Sequence, residues 1–343
     1  PWNFPWAIPC WKLAPALVAG NTVVFKPASF TPRSAHHLVK CFEDAGLPPG
    51  VLNLVVGAGS KVGDTLIHAD RVCGISFTGS NEVGRQIERA ATQNGTKLCC
   101  ELGGKNPCVV LADADLDAAL AGVLKGAFGA SGQRCTATSR LIVEESIADA
   151  FAARVAKGAQ ALKVGPGIGD DVDMGPVIDQ SQLDTVLGFI EGAQKDGFEL
   201  LAGGKRLTGK GRDKGFFVRP TVFDRVDPES TLAQEEVFGP VLAIIRAKDY
   251  AHAVELANHT KYGLSSAIYT RSINVAMRFC DEIEAGMVHV NSPTLGGEAQ
   301  VPFGGIKASG IGDREMAKEG LHFFTELKTV FIDYSGGARK SNI

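Results

Sequence analysis

The stretch GISFTGSN, residues 74–81, passes from a β-rich run through a glycine into a helical run. We predict a strand over residues 74–78 and a helix over residues 82–91. The rest of the first third alternates in the same way, with strands predicted at 22–26, 51–56 and 97–102 and helices at 33–45 and 61–68. Strands that alternate with helices predict a parallel, doubly wound α/β sheet.

A second α/β region follows residue 104. Strands are predicted at 107–111, 140–143, 241–245, 266–270 and 287–290, and helices at 115–128, 147–162, 251–257 and 275–283. Residues 203–215, rich in Gly, Lys and Arg, are predicted to form a surface loop. Residues 322–333 alternate enough to form a strand, and a strand at a chain end often pairs with another subunit.

Composition bounds the function. With 343 residues and 45% hydrophobic content, the chain can bury a large core and is expected to divide into two domains. Its net charge of −3 argues against a nucleic-acid partner. No apolar stretch approaches the roughly 18–20 residues that span a bilayer. Eight cysteines without a C-x-x-C pair, and seven scattered histidines, predict a metal-free protein in a reducing cytoplasm.

The motif GQRCT, residues 132–136, predicts a reactive cysteine. Cys135 lies in a small, polar, glycine-flanked segment, whereas a lone cysteine is more often inert core filler. A second glycine-rich turn, ELGGK at residues 101–105, places Glu101 34 residues earlier. A thiol nucleophile with a glutamate base suits covalent chemistry at an aldehyde or acyl carbon. A thiol is only a few per cent ionised at neutral pH.

Two glycine turns follow predicted strands and open predicted helices. One is FTGS at residues 77–80, and the other is GAGSKVG at residues 57–63. Free N–H groups at a helix start bind phosphate, and a glycine lets the backbone approach closely. Either turn alone could simply connect a strand to a helix. The presence of both turns in one strand–helix–strand context favours nucleotide binding.

Four other segments have a plain interpretation, and the first two also have a functional one. Lys26 follows a strand and could face a ligand at the sheet edge, or be merely solvated. The stiff run WNFPW, residues 2–6, could hold the Asn3 amide for a developing oxyanion, or form an aromatic packing turn. EEVFGP at 235–240 could be a solvated acidic loop, and PFGG at 302–305 a turn with Phe303 in the core.

Together these motifs resemble the NAD(P)-dependent aldehyde dehydrogenase superfamily, from Pro1 to about Asp333. Six motifs occur in the family's order and approximate spacing, at residues 1–5, 77–80, 101–105, 132–135, 235–240 and 302–305. The resemblance implies that Cys135 is the nucleophile and Glu101 the general base, while Asn3 and the Cys135 N–H form the oxyanion hole. Glu101 or the positively charged nicotinamide is then expected to favour the thiolate.

The resemblance also implies binding residues. The cofactor positions are Trp2, Lys26, Ser29, Gly59, Gly63, Thr78, Gly79, Ser80, Leu102, Glu236 and Phe238. The aldehyde tunnel positions are Phe4, Trp11, Arg134, Thr136 and Phe303. Ser29 stands where NAD-preferring members often have a glutamate that would repel a 2′-phosphate, so NADP is expected to be accepted alongside NAD, with no metal required.

The resemblance implies a Rossmann-like NAD(P)-binding domain over residues 1–103 and an α/β catalytic domain over residues 104–307. Residues 308–343 are expected to return to the first domain and to end in an intersubunit strand of a homodimer or homotetramer. We expect that an N-terminal portion, which in the family completes the cofactor domain, is absent from this chain.

The implied reaction is oxidation of a small-molecule aldehyde to an acid, through a thiohemiacetal and a thioester. Gly-Gln-Arg-Cys-Thr resembles enzymes for carboxylated semialdehydes, such as 2-oxoglutarate or aminoadipate semialdehyde. Arg134 could pair with the remote carboxylate, or only brace the nucleophile loop through a buried ion pair. Two alternatives remain: a broad-range or betaine-type aldehyde dehydrogenase, and a non-catalytic truncated scaffold.

Overall fold

The computed structural model describes residues 1–169, 171–209, 211–334 and 336–337. The strands are β1 Val23–Phe25, β2 Leu52–Leu54, β3 Gly74–Thr78, β4 Lys97–Glu101, β5 Asn106–Val110, β6 Thr138–Glu144, β7 Glu199–Ala202, β8 Thr221–Asp224, β9 Val241–Ala247, β10 Tyr262–Gly263, β11 Ser265–Tyr269, β12 Met287–Val290, β13 Ile306–Lys307 and β14 Gly310–Ile311. The helices are α1 Ala7–Val18, α2 Pro32–Asp44, α3 Asp64–Ile67, α4 Asn81–Asn94, α5 Leu116–Phe128, α6 Glu145–Ala161, α7 Gln180–Lys195, α8 Thr231–Gln234, α9 Tyr250–Asn258, α10 Ile273–Glu282 and α11 Glu319–His322.

The larger sheet has seven strands in the order β12-β11-β5-β6-β9-β8-β7. Every neighbouring pair is parallel except β7 with β8. Its central strands are buried along most of their length because helices cover both faces. Val109 belongs to the cluster that packs under α7 and α9, and Val110 to the cluster under α5 and α6. The predicted α/β fold class is confirmed here, although α7, β7 and β8 were not predicted.

The N-terminal strands are parallel as predicted, but they form two ladders rather than one doubly wound sheet. β1 pairs with β2, and β3 pairs with β4. Among the described residues no ladder joins β2 to β3, since β2 is only three residues long and no strand lies between them. The helix predicted at 61–68 is a π-helical turn, Gly59–Gly63, followed by the single turn α3.

Two helices that position the site begin at side-chain caps. The Ser80 hydroxyl accepts a hydrogen bond from Val83 N at the start of α4. The Asp115 carboxylate accepts from the N–H groups of Asp117 and Ala118 at the start of α5. Each cap satisfies N–H groups that the helix leaves without a partner. The β3–α4 turn and the start of α5 are therefore fixed by the sequence itself.

The C-terminal part of the chain returns to the N-terminal strands, because β14 pairs antiparallel with β4. The strand predicted at 322–333 is absent: His322 ends α11, and the described residues after it carry no regular structure. A strand needs a neighbouring strand to form a ladder, and the described residues form no ladder over this stretch. The predicted pairing with another subunit stays a prediction, and residues 335 and 338–343 lie outside the described residues.

The surface loop predicted at 203–215 is irregular where it is described, with residue 210 outside the description. None of the described helices is both long and apolar enough to cross a bilayer. In the described part of the chain, no cluster of three or more His, Cys, Asp or Glu side chains could hold a metal ion. The domain limits at residues 103 and 307 stay a prediction.

Candidate active site

Cys135 follows a left-handed chain reversal between α5 and β6. Ala130, Ser131 and Gly132 have φ of 50°, 58° and 68°. This region is unfavourable for residues with a Cβ, so other contacts must hold it. The Ser131 hydroxyl donates to Gly175 O at 2.9 Å. A Cβ at residue 132 would overlap the backbone of Gly239, so only glycine fits there.

The Asn3 amide donates to Gln133 O at 2.9 Å, two residues before the cysteine. An amide NH₂ carries two donors, so one can anchor Asn3 while the other serves a second acceptor. The N–H groups of Cys135 and Thr136 donate toward the Cys135 Sγ and act to lower its pKa. Asn3 is thus hydrogen-bonded to the turn that carries the thiol and the Cys135 N–H, an arrangement that suits an oxyanion hole.

Glu101 ends β4 and is 3% exposed. Its carboxylate packs against Gly304, where a Cβ would overlap Oε1, and it accepts a hydrogen bond from Gly305 N. Burial, and then the nearby Glu315 carboxylate, raise the pKa of Glu101 well above its usual value. Its Oε2 is buried without a hydrogen-bond partner among the described residues. Burial therefore favours the protonated form of Glu101 more than solvent favours that of an exposed glutamate.

The Glu101 and Cys135 turns meet at Gly104. A Cβ on Gly104 would lie 2.6 Å from the Cys135 carbonyl oxygen, so the two backbones are in direct contact. Burial, and then the carboxylates of Glu236 and Glu101, raise the pKa of the Cys135 thiol to about 12. The negative charge of Glu101 thus acts against the thiolate, because a neighbouring negative charge disfavours another. That Glu101, by accepting the proton, or the positively charged nicotinamide favours the thiolate stays a prediction.

The thiol lies in apolar surroundings. Cys135 packs with Trp11, Phe303 and the buried residues Leu264 and Met316. The rings of Trp11 and Phe303 are 5.2 Å apart. An apolar wall beside a nucleophile suits a small carbon substrate and limits access of water.

Arg134 points away from any acidic partner among the described residues. Its guanidinium lies over the Phe4 ring, 5.4 Å from the centroid, and its buried Nε has no hydrogen-bond partner there. The alternative that Arg134 only braces the loop through a buried ion pair is not what the described contacts show. Thr136 is 6% exposed and its carbonyl accepts from Thr294 Oγ1, so it supports the turn.

The carboxyl edge of β1 and β3 gathers several predicted cofactor residues. Lys26 follows β1, its Nζ donates to Pro27 O at 2.8 Å, and burial lowers its pKa. Ser29 is exposed. Gly59 and Gly63 face open space, so a ligand can approach their backbone closely.

At the end of β3, the Thr78 hydroxyl is buried without a described partner, and Ser80 caps α4. A Cβ at residue 79 would lie 2.5 Å from the Phe77 ring, so packing requires Gly79. The unpartnered Thr78 hydroxyl and the start of the fourteen-residue helix α4, both directly after β3, fit a phosphate-bearing ligand.

Glu236 lies over the Glu101 turn. It accepts a hydrogen bond from Gly104 N at 3.0 Å, and burial raises its pKa to about 7. Phe238 has φ of 52° and meets the Trp2 ring edge-on at 5.8 Å. The Leu102 side chain instead packs on Gly84 of α4, so only its main chain can face a cofactor. Glu236 therefore contacts the glycine turn that follows Glu101, and Phe238 contacts the aromatic segment that carries Asn3.

A family model described as the aldehyde dehydrogenase family matches residues 1–330. The chain belongs to the aldehyde dehydrogenase family. This confirms the resemblance drawn from the six motifs, and it makes the protein a member of a family of oxidoreductases that act on aldehydes.

Named relatives of this family member include two semialdehyde enzymes. It is 47% identical over 332 residues to the alpha-ketoglutaric semialdehyde dehydrogenase of Bacillus subtilis, covering 97% of this chain and 68% of the relative. It is 48% identical over 335 residues to the alpha-ketoglutarate semialdehyde dehydrogenase of Haloferax volcanii, covering 97% of this chain and 69% of the relative.

Among solved structures, betaine aldehyde dehydrogenase from Staphylococcus aureus in complex with NAD+ superposes with a TM-score of 0.92 at 38% identity. That match covers 94% of this chain and 64% of the other. The chain therefore spans about two thirds of the length of the relatives that it matches.

The sequence interpretation missed the charged pair beneath Glu101. Lys12 on α1 forms an ion pair with Glu315, and its Nζ also donates to Ser76 Oγ at 2.9 Å. Both charges act on Glu101, since Glu315 raises its pKa and Lys12 lowers it. The sequence offers one local sign of this pair, because Lys12 stands between the apolar residues Trp11 and Leu13. Glu315 has no comparable feature, since it is one of 38 acidic residues in the chain.

Proposed function

We propose that this protein oxidises an aldehyde to a carboxylic acid with reduction of NAD(P), using Cys135 as nucleophile and Glu101 as base. The observation that carries this proposal is the contact of Gly104, three residues after Glu101, with the Cys135 carbonyl, next to the apolar cluster against which Cys135 packs. Membership of the aldehyde dehydrogenase family supports the same reaction class.

In the proposed reaction, the Cys135 proton passes to Glu101 and the thiolate forms a bond to the aldehyde carbon. The resulting alkoxide accepts hydrogen bonds from the free Asn3 N–H and the Cys135 N–H; losing one such donor typically lowers the rate by about 10²–10³-fold. A bound oxidised nicotinamide would supply the acceptor for the hydride that leaves the former aldehyde carbon, which converts the alkoxide to a thioester. Glu101 must release the first proton to solvent before it can act again as a base. It then takes a proton from water as the water oxygen bonds to the thioester carbon; the C–S bond breaks, the leaving thiolate takes the proton back from Glu101, and the products are the free thiol and a carboxylic acid.

A carboxylated semialdehyde, such as 2-oxoglutarate semialdehyde, is the proposed substrate. Two relatives carry this activity in their names. The guanidinium of Arg134, adjacent to the nucleophile and without a described acidic partner, can bind a remote carboxylate in bidentate fashion. A broad-range or betaine-type enzyme is the second candidate, because a betaine aldehyde dehydrogenase has the same fold over 94% of this chain.

A substrate panel separates these candidates. Wild-type protein and Arg134→Met are assayed with a semialdehyde and with the neutral aldehyde of equal length. The proposal expects kcat/KM of the variant to fall by about 10–10²-fold for the semialdehyde alone, as loss of a charged hydrogen bond predicts. Equal kcat/KM for both aldehydes in the wild type would exclude a carboxylate-specific site.

NAD or NADP is the proposed cofactor, held by the residues along the β1–β3 edge and by Glu236. The NAD complex of a relative supports NAD, and the uncharged, exposed Ser29 supports acceptance of NADP. No metal is required in this scheme.

We further propose a cytoplasmic homodimer or homotetramer. All eight cysteines are free thiols in the described structure, which suits a reducing compartment. Leu327 and Ile332 in the C-terminal segment are 104% and 69% exposed, as expected for a strand that pairs with a second copy. The mass in solution tests this, and a monomer would contradict it.

Catalysis itself is tested with iodoacetamide and reduced-nicotinamide absorbance. The proposal expects turnover that Cys135→Ser abolishes, and alkylation of Cys135 that accelerates when NAD(P) is bound. Absence of both labelling and turnover would favour the non-catalytic scaffold.

A further inference from the structure

The nucleophile turn is held by its carbonyl groups, and each of the five from residue 133 to residue 137 accepts a hydrogen bond. The donors are Asn3 Nδ2 for Gln133, Ala137 N for Arg134, Asn106 Nδ2 for Cys135, Thr294 Oγ1 for Thr136 and Asn106 Nδ2 for Ala137. Four of the five bonds come from side chains outside the turn. The turn therefore depends on distant residues for its shape, and Asn106 supplies two of the bonds.

Asn106 is 2% exposed and uses its whole amide. Its Nδ2 donates to Cys135 O at 2.8 Å and to Ala137 O at 2.9 Å, and its Oδ1 accepts from Ser265 N at 3.0 Å. The β5–β6 register shifts between Asn106 and Pro107, where proline offers no N–H for the ladder. The Asn106 side chain thus replaces backbone bonds at the point where β6 leads back to the nucleophile.

The same amide touches the acid turn. A Cβ on Gly104 would lie 2.9 Å from Asn106 Oδ1 and 2.6 Å from Cys135 O. Asn106 is also only five residues after Glu101 in the chain. It therefore links the segment that carries the base to the segment that carries the thiol.

We propose that Asn106 is a positioning residue that fixes the Cys135 thiol relative to the Glu101 carboxyl. This rests on the proposed function, in which the thiol proton must reach Glu101. Without the two donors, the carbonyls of Cys135 and Ala137 lose their anchor, and the peptide planes on either side of the nucleophile can rotate. A misplacement near 1 Å can lower a rate by about 10²-fold.

The test compares Asn106→Ala, which removes both donors, and Asn106→Ser, which can keep one. Asn258→Ser is the matched control, because Asn258 also joins two backbone groups, Glu282 O and Glu284 N, each at 2.8 Å, and contacts neither turn. We expect kcat to fall by about 10²-fold in Asn106→Ala and less in Asn106→Ser, with KM within about twofold of wild type. Asn258→Ser is expected to lower Tm without lowering kcat.

A double-mutant cycle with Glu101→Gln distinguishes positioning from general support. If Asn106 acts by placing the thiol near Glu101, then Asn106→Ser slows iodoacetamide alkylation of Cys135 in the wild type but adds little in Glu101→Gln. Asn258→Ser should leave both alkylation rates unchanged.

Additive effects of Asn106→Ser and Glu101→Gln, or a kcat loss no larger than that of Asn258→Ser, would overturn the proposal. If Asn106→Ala does not fold, Asn106→Ser carries the same comparison. Alkylation of Cys135 requires no aldehyde, so a coupled effect on the labelling rate supports the positioning role even if the protein oxidises no aldehyde. Failure to oxidise any aldehyde would contradict only the proposed function.

Discussion

Substitution of Gly104 by alanine is the most direct test of the contact between the two catalytic turns. Gly104 does not have a positive φ, so alanine is compatible with the backbone and the effect is steric. The new Cβ would lie 2.6 Å from Cys135 O, whereas ordinary contact begins at 3.4 Å, so the nucleophile backbone must move by about 0.8 Å. The same Cβ would lie 2.9 Å from Asn106 Oδ1, so the amide that holds Cys135 O would have to move as well.

We expect Gly104→Ala to lower kcat/KM by about 10²-fold, because a displacement near 1 Å from reactive geometry has that effect. The free energy of unfolding should fall by about 1–3 kcal/mol, as for other overpacked sites. The assays are steady-state kinetics by nicotinamide absorbance and thermal unfolding. Gly192→Ala in α7 is the control, since its Cβ meets nothing within 4 Å and should leave kcat/KM unchanged. An active, fully stable Gly104→Ala would show that the turns do not touch as described.

Three further predictions concern charge. Ser29→Glu should raise KM for NADP more than KM for NAD, because a carboxylate would repel the 2′-phosphate; equal changes would refute the cofactor assignment. Glu101→Gln should abolish turnover. It should also raise Tm at neutral pH, since the raised pKa of Glu101 means that ionisation of this carboxyl destabilises the fold. This increase in Tm should vanish at and below about pH 4.5 and grow above it. Glu315→Gln should shift the acid limb of the kcat–pH profile to lower pH, because it removes a charge that raises the pKa of Glu101. An unshifted limb would exclude that coupling.

The sequence predicted most elements because local patterns specify them. The strand at residues 74–78 matches β3, and the apolar run at 241–245 lies within β9. The strand predicted at 322–333 does not form in the described chain. An alternating sequence pattern indicates a segment that could pair in a sheet, but it does not provide the neighbouring strand. The split between the β1–β2 and β3–β4 ladders was also invisible, since strand length and the chain between strands decide which ladders join.

The predicted site residues came from motifs, and motifs report residues that are close in sequence. Cys135, Glu101 and Glu236 each stand in a recognisable glycine-containing segment. Lys12 and Glu315 do not, since they meet across 303 positions of the chain. Asn106 directly follows the ELGGK motif, but its role depends on carbonyls about 30 residues later, which no local pattern marks. Long-range contacts of this kind become visible only in the folded chain.

Charge is where the folded structure changes the chemical interpretation most. Motif spacing suggests that a glutamate near a cysteine promotes the thiolate, yet Glu101 and Glu236 both raise the pKa of Cys135. The same burial that keeps the thiol neutral also raises the pKa of Glu101, so the carboxyl becomes a better proton acceptor than an exposed glutamate. Burial therefore acts on the thiol and the acid in the same direction: it favours the neutral thiol, and it makes the Glu101 carboxylate a stronger base for the proton that the proposed reaction must remove from Cys135.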